Sequence, residues 1–364
     1  MGSGLFERKV VWGDMMKAFH KWTLFVVSVL AFPLLLLGCG SSETTTSGEQ
    51  TSDQGASEQP ITIKLAHESP NTHIKGIWAE DFKKNIESAS GGNIKVELYH
   101  HGQLYAKEQA ALQAVTQGVI QMSISSTGYM SSLVPEYQIF DLPMMFPDLN
   151  ALYAFEDSAL GEELLQLLDA KGLKGLGYIT NVPIDLFTGE PIETMEDLKN
   201  MKIRAHTALL EESMRVLGAS PITMAAEEMY TAMQQGVIDG ILTTTAYAAP
   251  NKLQEVAPYM TKISISSVVY PIVINKDFWE SLTEQQQQII AEAARMAVQH
   301  NRDNLEANSN EYERTLQENG LQIIQLDDAE RARWLEKLKP IYDKTAENLQ
   351  GDLYHRSIEF VEGL

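Results

Sequence analysis

The chain of 364 residues carries 49 acidic and 28 basic side chains, for a formal net charge of −21. An excess of that sign excludes bulk electrostatic binding to nucleic acid or to an anionic membrane face. A lone cysteine, Cys39, excludes an internal disulfide and any multi-cysteine metal site. The length exceeds what one hydrophobic core usually accommodates, so two lobes are expected.

At the N-terminus, Lys17 and Lys21 precede an apolar run from Trp22 to Leu37 that ends in Leu36-Leu37-Gly38-Cys39. The run falls short of the ~20 residues a membrane-spanning helix needs and has the layout of a signal peptide. Its ending looks like the lipobox of bacterial lipoproteins, which implies cleavage after residue 38 and lipidation of Cys39. Glu7 and Asp14 suit a signal peptide poorly. Translation is therefore expected to start at Met15 or Met16, which mass analysis of the unprocessed precursor would settle. Residues 40–60 are almost wholly Gly, Ser, Thr, Glu, Gln and Asp and cannot bury a core. Together with Cys39 they read as a flexible tether, 39–60, with a root-mean-square span of ~25 Å.

From Ile61 the texture is α/β. Residues 61–66 alternate as a strand, Ile74 to Glu87 run at helical spacing, and 94–99 alternate again after Gly91-Gly92. A helix at about 106–117, a strand at 119–124 and a Ser-rich turn at 125–132 follow. A second series begins near Tyr178. It comprises a strand at 201–205, helices at about 208–217 and 225–235, a strand at 237–242 and an apolar run at 268–274. Thr283 then caps a very long helix reaching Glu318, and 327–362 is helical with amphipathic spacing. This alternation argues for largely parallel sheets with helices outside.

Catalytic motifs are missing from the sequence. It contains no Gly-x-Ser-x-Gly elbow, no phosphate-cradling Gly-Lys-Ser/Thr loop, no His-Glu-x-x-His and no Gly-x-Gly-x-x-Gly after a strand. No enzymatic activity, cofactor or metal is expected. His67 and His73 could approach each other across a loop, but satisfied or solvent-exposed histidines account for them better than a metal site.

Three stretches stand out. They are Thr194-Met-Glu-Asp-Leu-Lys-Asn-Met-Lys-Ile-Arg204-Ala, Leu217-Gly-Ala-Ser-Pro-Ile-Thr-Met224 and Glu228-Met-Tyr-Thr-Ala-Met-Gln-Gln-Gly-Val-Ile-Asp-Gly240. In order and spacing they resemble the signature of TRAP-type solute-binding proteins, the extracytoplasmic receptors of tripartite ATP-independent transporters. Ile63-Lys-Leu-Ala-His67 with Pro70 and His73, Gly102-Gln-Leu104, Ala114-Val-Thr-Gln-Gly118 and Phe140-Asp-Leu-Pro143 extend the likeness, which covers about 61–320.

The resemblance implies a two-lobed α/β fold like that of periplasmic binding proteins. Each lobe would hold a mixed, mostly parallel sheet flanked by helices, with hinge strands and a long helix spanning both. Residues 61–181 with 270–309 are expected to form the first lobe, and 182–269 with 310–364 the second. The implied function is capture of a small organic acid between the lobes and delivery to the small and large membrane subunits of a TRAP permease. The receptor would be held by its lipid anchor at the outer face of the plasma membrane or in the periplasm. A lipoprotein that presents its ligand to a signalling receptor is the alternative.

Arg204 is the implied ligand clamp. Ile203 and Arg204 alternate on a short strand, and the planar guanidinium matches a carboxylate with two parallel hydrogen bonds. Glu68, just after the first strand, is an implied polar contact. Ser126 ends a strand, where α/β ligand sites gather. Thr243 falls where many members carry Asn, and Tyr247 and Tyr270 are candidates for the cleft wall. Asp185, in Val182-Pro-Ile-Asp185-Leu-Phe187-Thr188, replaces a second arginine of many members. That exchange counts against a dicarboxylate or sialic acid and favours one carboxylate plus a hydroxyl, amine or amidine.

Overall fold

The computed structural model describes residues 60–349 and 351–364. The leader at 1–38, Cys39 and the tether through residue 59 lie outside the described residues. The strands are β1 Ile61–Ala66, β2 Ile94–Tyr99, β3 Met122–Ile124, β4 Leu173–Thr188, β5 Lys202–Ala205, β6 Ser220–Thr223, β7 Gly240–Thr244, β8 Tyr259–Lys262, β9 Ser267–Asn275 and β10 Gln322–Gln325. Their main order is β2-β1-β3-β9-β4-β7-β5-β6, with β8 joining β4 to β10.

β4 is the element that organises the sheet. Its first half pairs antiparallel with β9, and its last residues pair antiparallel with β7 and β8. One half of the sheet is therefore β2-β1-β3-β9 with the start of β4, in which β1, β2 and β3 run parallel. The other half is the end of β4 with β7, β5, β6, β8 and β10, in which β5 runs parallel to both β6 and β7. The sequence pattern hides β4 because both of its faces are covered, so polar alternation is lost, and Gly175, Gly177 and Pro183 interrupt the run. Register shifts fall at Gly175/Gly177 and Thr180/Pro183. At Gly175 a Cβ would lie 2.7 Å from the Leu165 side chain, so only glycine lets the helix Ala159–Leu167 approach so closely.

Helices cover all four sheet faces. Ile63, Leu65, Ile272 and Ile274 pack against Trp78, Phe82 and Ile86 of the helix Ile74–Ala89 and against Ile290 to Leu305 of the long helix Glu284–Glu318. On the opposite face Tyr178, Val269 and Val273 meet Leu112, Phe155 and Leu164. In the other half, Ile203, Ala205 and Leu242 pack with Met214 and Trp334, while Phe187, Ile241 and Met260 pack with Met229 and Leu316. The 35-residue helix Glu284–Glu318 thus contributes to the cores of both halves. It starts from a capping box. The Thr283 side chain accepts from the Gln286 N–H, and the Gln286 side chain accepts from the Thr283 N–H. Thr283→Ala is expected to cost about 1 kcal/mol, read as a lower urea midpoint at unchanged slope.

Several boundaries differ from those the sequence pattern predicts. The strand expected at 119–124 begins only at Met122, because Gly118 takes φ 71° and turns the chain. The strand expected at 237–242 is Gly240–Thr244, and the helix expected at about 225–235 divides into a 3₁₀ turn Ala226–Glu228 and a helix Met229–Gln234. The stretch 327–362 is two helices, Asp328–Asn348 and Leu353–Glu362. The first joins the core of Ile203 and Leu242, but the second returns to that of Phe155 and Leu164. Its Leu353, Tyr354 and Val361 are buried there. No helix among the described residues is long and apolar enough to cross a membrane.

Candidate functional site

The expected ligand contacts collect at strand ends. β1 leads into Glu68, β3 leads into Ser126, and Arg204 and Thr243 each stand one residue before the ends of β5 and β7. In open α/β sheets this is the edge where the crevice lies. The two halves meet there. A Cβ at Gly128, in the turn after β3, would sit 3.0 Å from Thr207 Cγ2, in the turn after β5. Thr207 caps the helix Ala208–Val216 by accepting from the Leu210 N–H.

Arg204 is 6 % exposed. Its neighbours Ile203 and Ala205 face the core around Trp334. The Arg204 side chain leaves from the other face, where Nε donates to Met224 O at 3.1 Å and Nη1 donates to Leu242 O at 3.2 Å. These two carbonyls fix the guanidinium plane. His206 lies beside it, driven down to about 3 by burial and then by Arg204, so the ring stays neutral at physiological pH.

On the other half Glu68 belongs to a buried ionic group that the sequence pattern does not reveal. Lys75, whose side chain is 1 % exposed, places Nζ 2.9 Å from Glu68 Oε1 and 3.1 Å from Glu108 Oε2. Its Nζ also stands 4.5 Å from the centroid of the Tyr270 ring. Ser69 Oγ donates to Glu68 at 2.8 Å, and the Ser126 N–H donates to the Glu108 carboxylate. Lys75 therefore supports both Glu68 and, through Glu108, the backbone at Ser126. Burial opposes ionisation of Glu68, yet the Lys75 ammonium holds its carboxyl at about 2. Burial raises Glu108 against the same ammonium, while Glu108 and Glu68 raise Lys75. The Glu68 side chain is 19 % exposed, so it is the open end of this group. One signal for Lys75 is present in the sequence. A cation in the first turn of a helix opposes the helix dipole and calls for a compensating anion.

Asp185, Tyr247 and Tyr270 remain, and Asp185 stands directly opposite Thr243 in the β4–β7 ladder. Asp185 Oδ1 accepts from the Ile263 and Ser264 N–H groups at 3.0 and 2.9 Å, fixing the turn between β8 and β9. Ser264 takes a positive φ there, and the Asp185 carboxylate holds that turn. Burial pushes Asp185 up to about 6. Tyr247 donates to Ala226 O at 2.9 Å and packs beside the core of Phe187 and Met260. The Tyr270 hydroxyl accepts from Asn181 Nδ2 at 3.4 Å. His67 Nε2 and His100 Nδ1 are 2.8 Å apart, and the His73 side chain caps the helix Ile74–Ala89. Among the described residues no group of three or more His, Cys, Asp or Glu is arranged to hold a metal ion.

Behind Ser126, Asp141 is 4 % exposed and is pushed up to about 7 by burial, with a Thr127 hydrogen bond working the other way. A carboxyl raised in the folded state binds its proton more tightly there than in the unfolded chain. Its penalty to stability is therefore absent at pH 4 and grows as pH rises toward 7 and beyond. Asp141→Asn removes that penalty. It is expected to raise stability by a few kcal/mol at pH 8, since each tenfold change in proton affinity is worth about 1.4 kcal/mol. The gain should close near pH 4. Urea titrations of both proteins at the two pH values check it.

A pair of half-sheets joined by one long strand and one long helix, with a buried arginine and ionic group at the strand ends, defines an α/β solute-binding architecture. The chain belongs to the DctP family, bacterial extracellular solute-binding protein family 7, which it matches over residues 65–348. The C4-dicarboxylate-binding periplasmic protein DctP of Rhodobacter capsulatus is 30% identical over 294 residues, covering 80% of this chain and 88% of that one. The ectoine/5-hydroxyectoine-binding periplasmic protein UehA of Ruegeria pomeroyi is 31% identical over 251 residues, covering 68% and 73%. A TRAP periplasmic solute-binding protein from Shewanella oneidensis, solved with bound succinate, shares the fold with a TM-score of 0.77 at 26% identity, covering 83% of this chain and 99% of that one.

Proposed function

We propose that this protein is an extracytoplasmic receptor that captures a small organic acid between its half-sheets and delivers it to a TRAP-type permease. The observation that carries this reading is Arg204, buried at the end of β5 and held by two backbone carbonyls. A guanidinium so fixed suits a carboxylate, which forms a bidentate pair with it. The named relatives bind C4-dicarboxylates and ectoines, compounds that all carry a carboxylate.

The second half of the solute meets Glu68, Ser126 and Thr243. Around Lys75 two carboxylates face one ammonium. That excess of negative charge favours a solute whose remote end is a hydroxyl, amine or amidine over one with a second carboxylate. Asp185, opposite Thr243 in the β4–β7 ladder, adds to the negative charge on this side while its Oδ1 holds the β8–β9 turn. The half-sheets act as lobes that close about the register shift in β4 and the long helix. Closure removes water from the Arg204–carboxylate pair and strengthens it. No bond is made or broken. Lipidated Cys39 and the tether keep the receptor near the small and large permease subunits.

Calorimetric titration with hydroxy and keto acids, dicarboxylates, amino acids and ectoine-like zwitterions tests this reading. One acid is expected to bind at micromolar concentration or tighter. If simple dicarboxylates bind tightest, the assignment of Glu68 to a donor group falls, and if no acid binds, the carboxylate reading falls with it.

A further inference from the structure

A cavity of about 240 Å³ lies on the side of the molecule bounded by the long helix, apart from the Arg204 group. That is far above the ~10–15 Å³ one water requires. Its walls come from the start of the helix Ile74–Ala89, from β4 at Asn181, from Ala246 in the short helix after β7 and from residues 300–312 of the long helix. Besides His300 and Tyr312, the polar positions are carboxamides. Asn301, Asn304 and Asn308 recur at helical spacing on one side, and Asn181 adds a fourth. Ile77 and Leu305 supply an apolar edge. No lysine, arginine or carboxylate lines it, and of its two ionisable rings, His300 and Tyr312, His300 is turned to Asp81.

Asn301 makes this cavity more than a void. The residue is 7 % exposed, and its Oδ1 is buried with no hydrogen-bond partner. A buried carbonyl left unpaired loses its hydration without compensation, and a native fold retains one where something else completes it. Asn304 does not complete it: its Nδ2 donates to His300 O at 2.7 Å, and no donor reaches Asn301 Oδ1. A neutral molecule with an O–H or N–H donor fits Oδ1, its remaining groups fit the other carboxamides, and its carbon edge fits Ile77 and Leu305. A charged one would be desolvated with no counter-ion.

We propose that this cavity is a second binding site, for a small neutral polar molecule of the polyol or amide class, with Asn301 Oδ1 as its principal acceptor. Asn181 links it to the first site. The Asn181 side chain reaches the Tyr270 hydroxyl, and the Tyr270 ring lies under Lys75. Occupancy is thus one hydrogen bond removed from the ionic group that supports Glu68.

Heteronuclear NMR titration of the whole protein with glycerol, acetamide and, as the charged control, acetate tests the proposal. Glycerol or acetamide is expected to give saturable shifts confined to the cavity residues, at least tenfold weaker in Asn301→Leu. Shifts that stay linear, that are equal in the variant, or that acetate reproduces at these residues would overturn it. Should Asn301→Leu fail to fold, wild-type crystals soaked in each probe decide. A probe within hydrogen-bond distance of Asn301 Oδ1 supports the site, and water alone there sinks it. The outcome is independent of whether organic acids bind at Arg204.

Discussion

Arg204→Ala is expected to weaken capture of the organic acid by about 2–5 kcal/mol, roughly 30- to 4,000-fold. The loss has two sources. The solute carboxylate would enter a buried site without its cation, and the carbonyls of Met224 and Leu242 would lose the donors that now reach them. Arg204→Lys separates charge from geometry. An ammonium keeps the charge but cannot present two parallel N–H groups, so its affinity should fall between wild type and the alanine variant. Calorimetry on the three proteins reads the series, with the unfolding midpoint of each as a control. Equal affinity in Arg204→Ala would make Arg204 a structural residue, tying β5 to β6 and β7.

Lys75→Met is expected to cost about 3–5 kcal/mol of stability, because it leaves Glu68 and Glu108 buried side by side with no cation. Restoring neutrality with Glu68→Gln and Glu108→Gln in the same chain should return much of that loss, since an apolar or neutral replacement of a whole buried ionic group is often tolerated. The pH dependence is specific to this pairing. Glu68 is held at about 2 by Lys75 against burial, so its contribution is fully present above its ordinary value. That contribution disappears as pH falls toward 2. The gap between wild type and Lys75→Met should therefore be widest at pH 7 and narrow toward pH 3. Urea unfolding across that range measures it, and a pH-independent gap would mean that Lys75 acts by packing alone.

Much of the fold can be read from local pattern. β1 and β2 alternate because one of their faces meets a helix and the other is more exposed. The helix Ile74–Ala89 shows its buried stripe at Trp78, Phe82 and Ile86, and the long helix declares its start in Thr283 and Gln286. The ordered stretches around Arg204, Gly218 and Gly240 carry the family, and with it the strand that presents Arg204. All of these are properties of neighbours in sequence, where side-chain periodicity and capping chemistry act directly.

What the tertiary structure alone decided depends on partners far apart in the chain. β4 shows no alternation because the two halves of the molecule bury both of its faces, and only its pairing with β9, β7 and β8 reveals it. The helix Leu353–Glu362 has an apolar face of its own, but nothing local states that this face returns to Phe155 rather than staying with Trp334. Asp185 reads in sequence as a replacement for an arginine, and only the fold shows that its carboxylate also accepts from the Ile263 and Ser264 N–H groups. Lys75, Glu68 and Glu108 are separate surface-type residues in sequence, and become one group because β1, the first helix and the segment before β3 converge. Periodicity specifies which face of an element is buried, whereas the identity of the group that meets a buried charge is set by long-range packing.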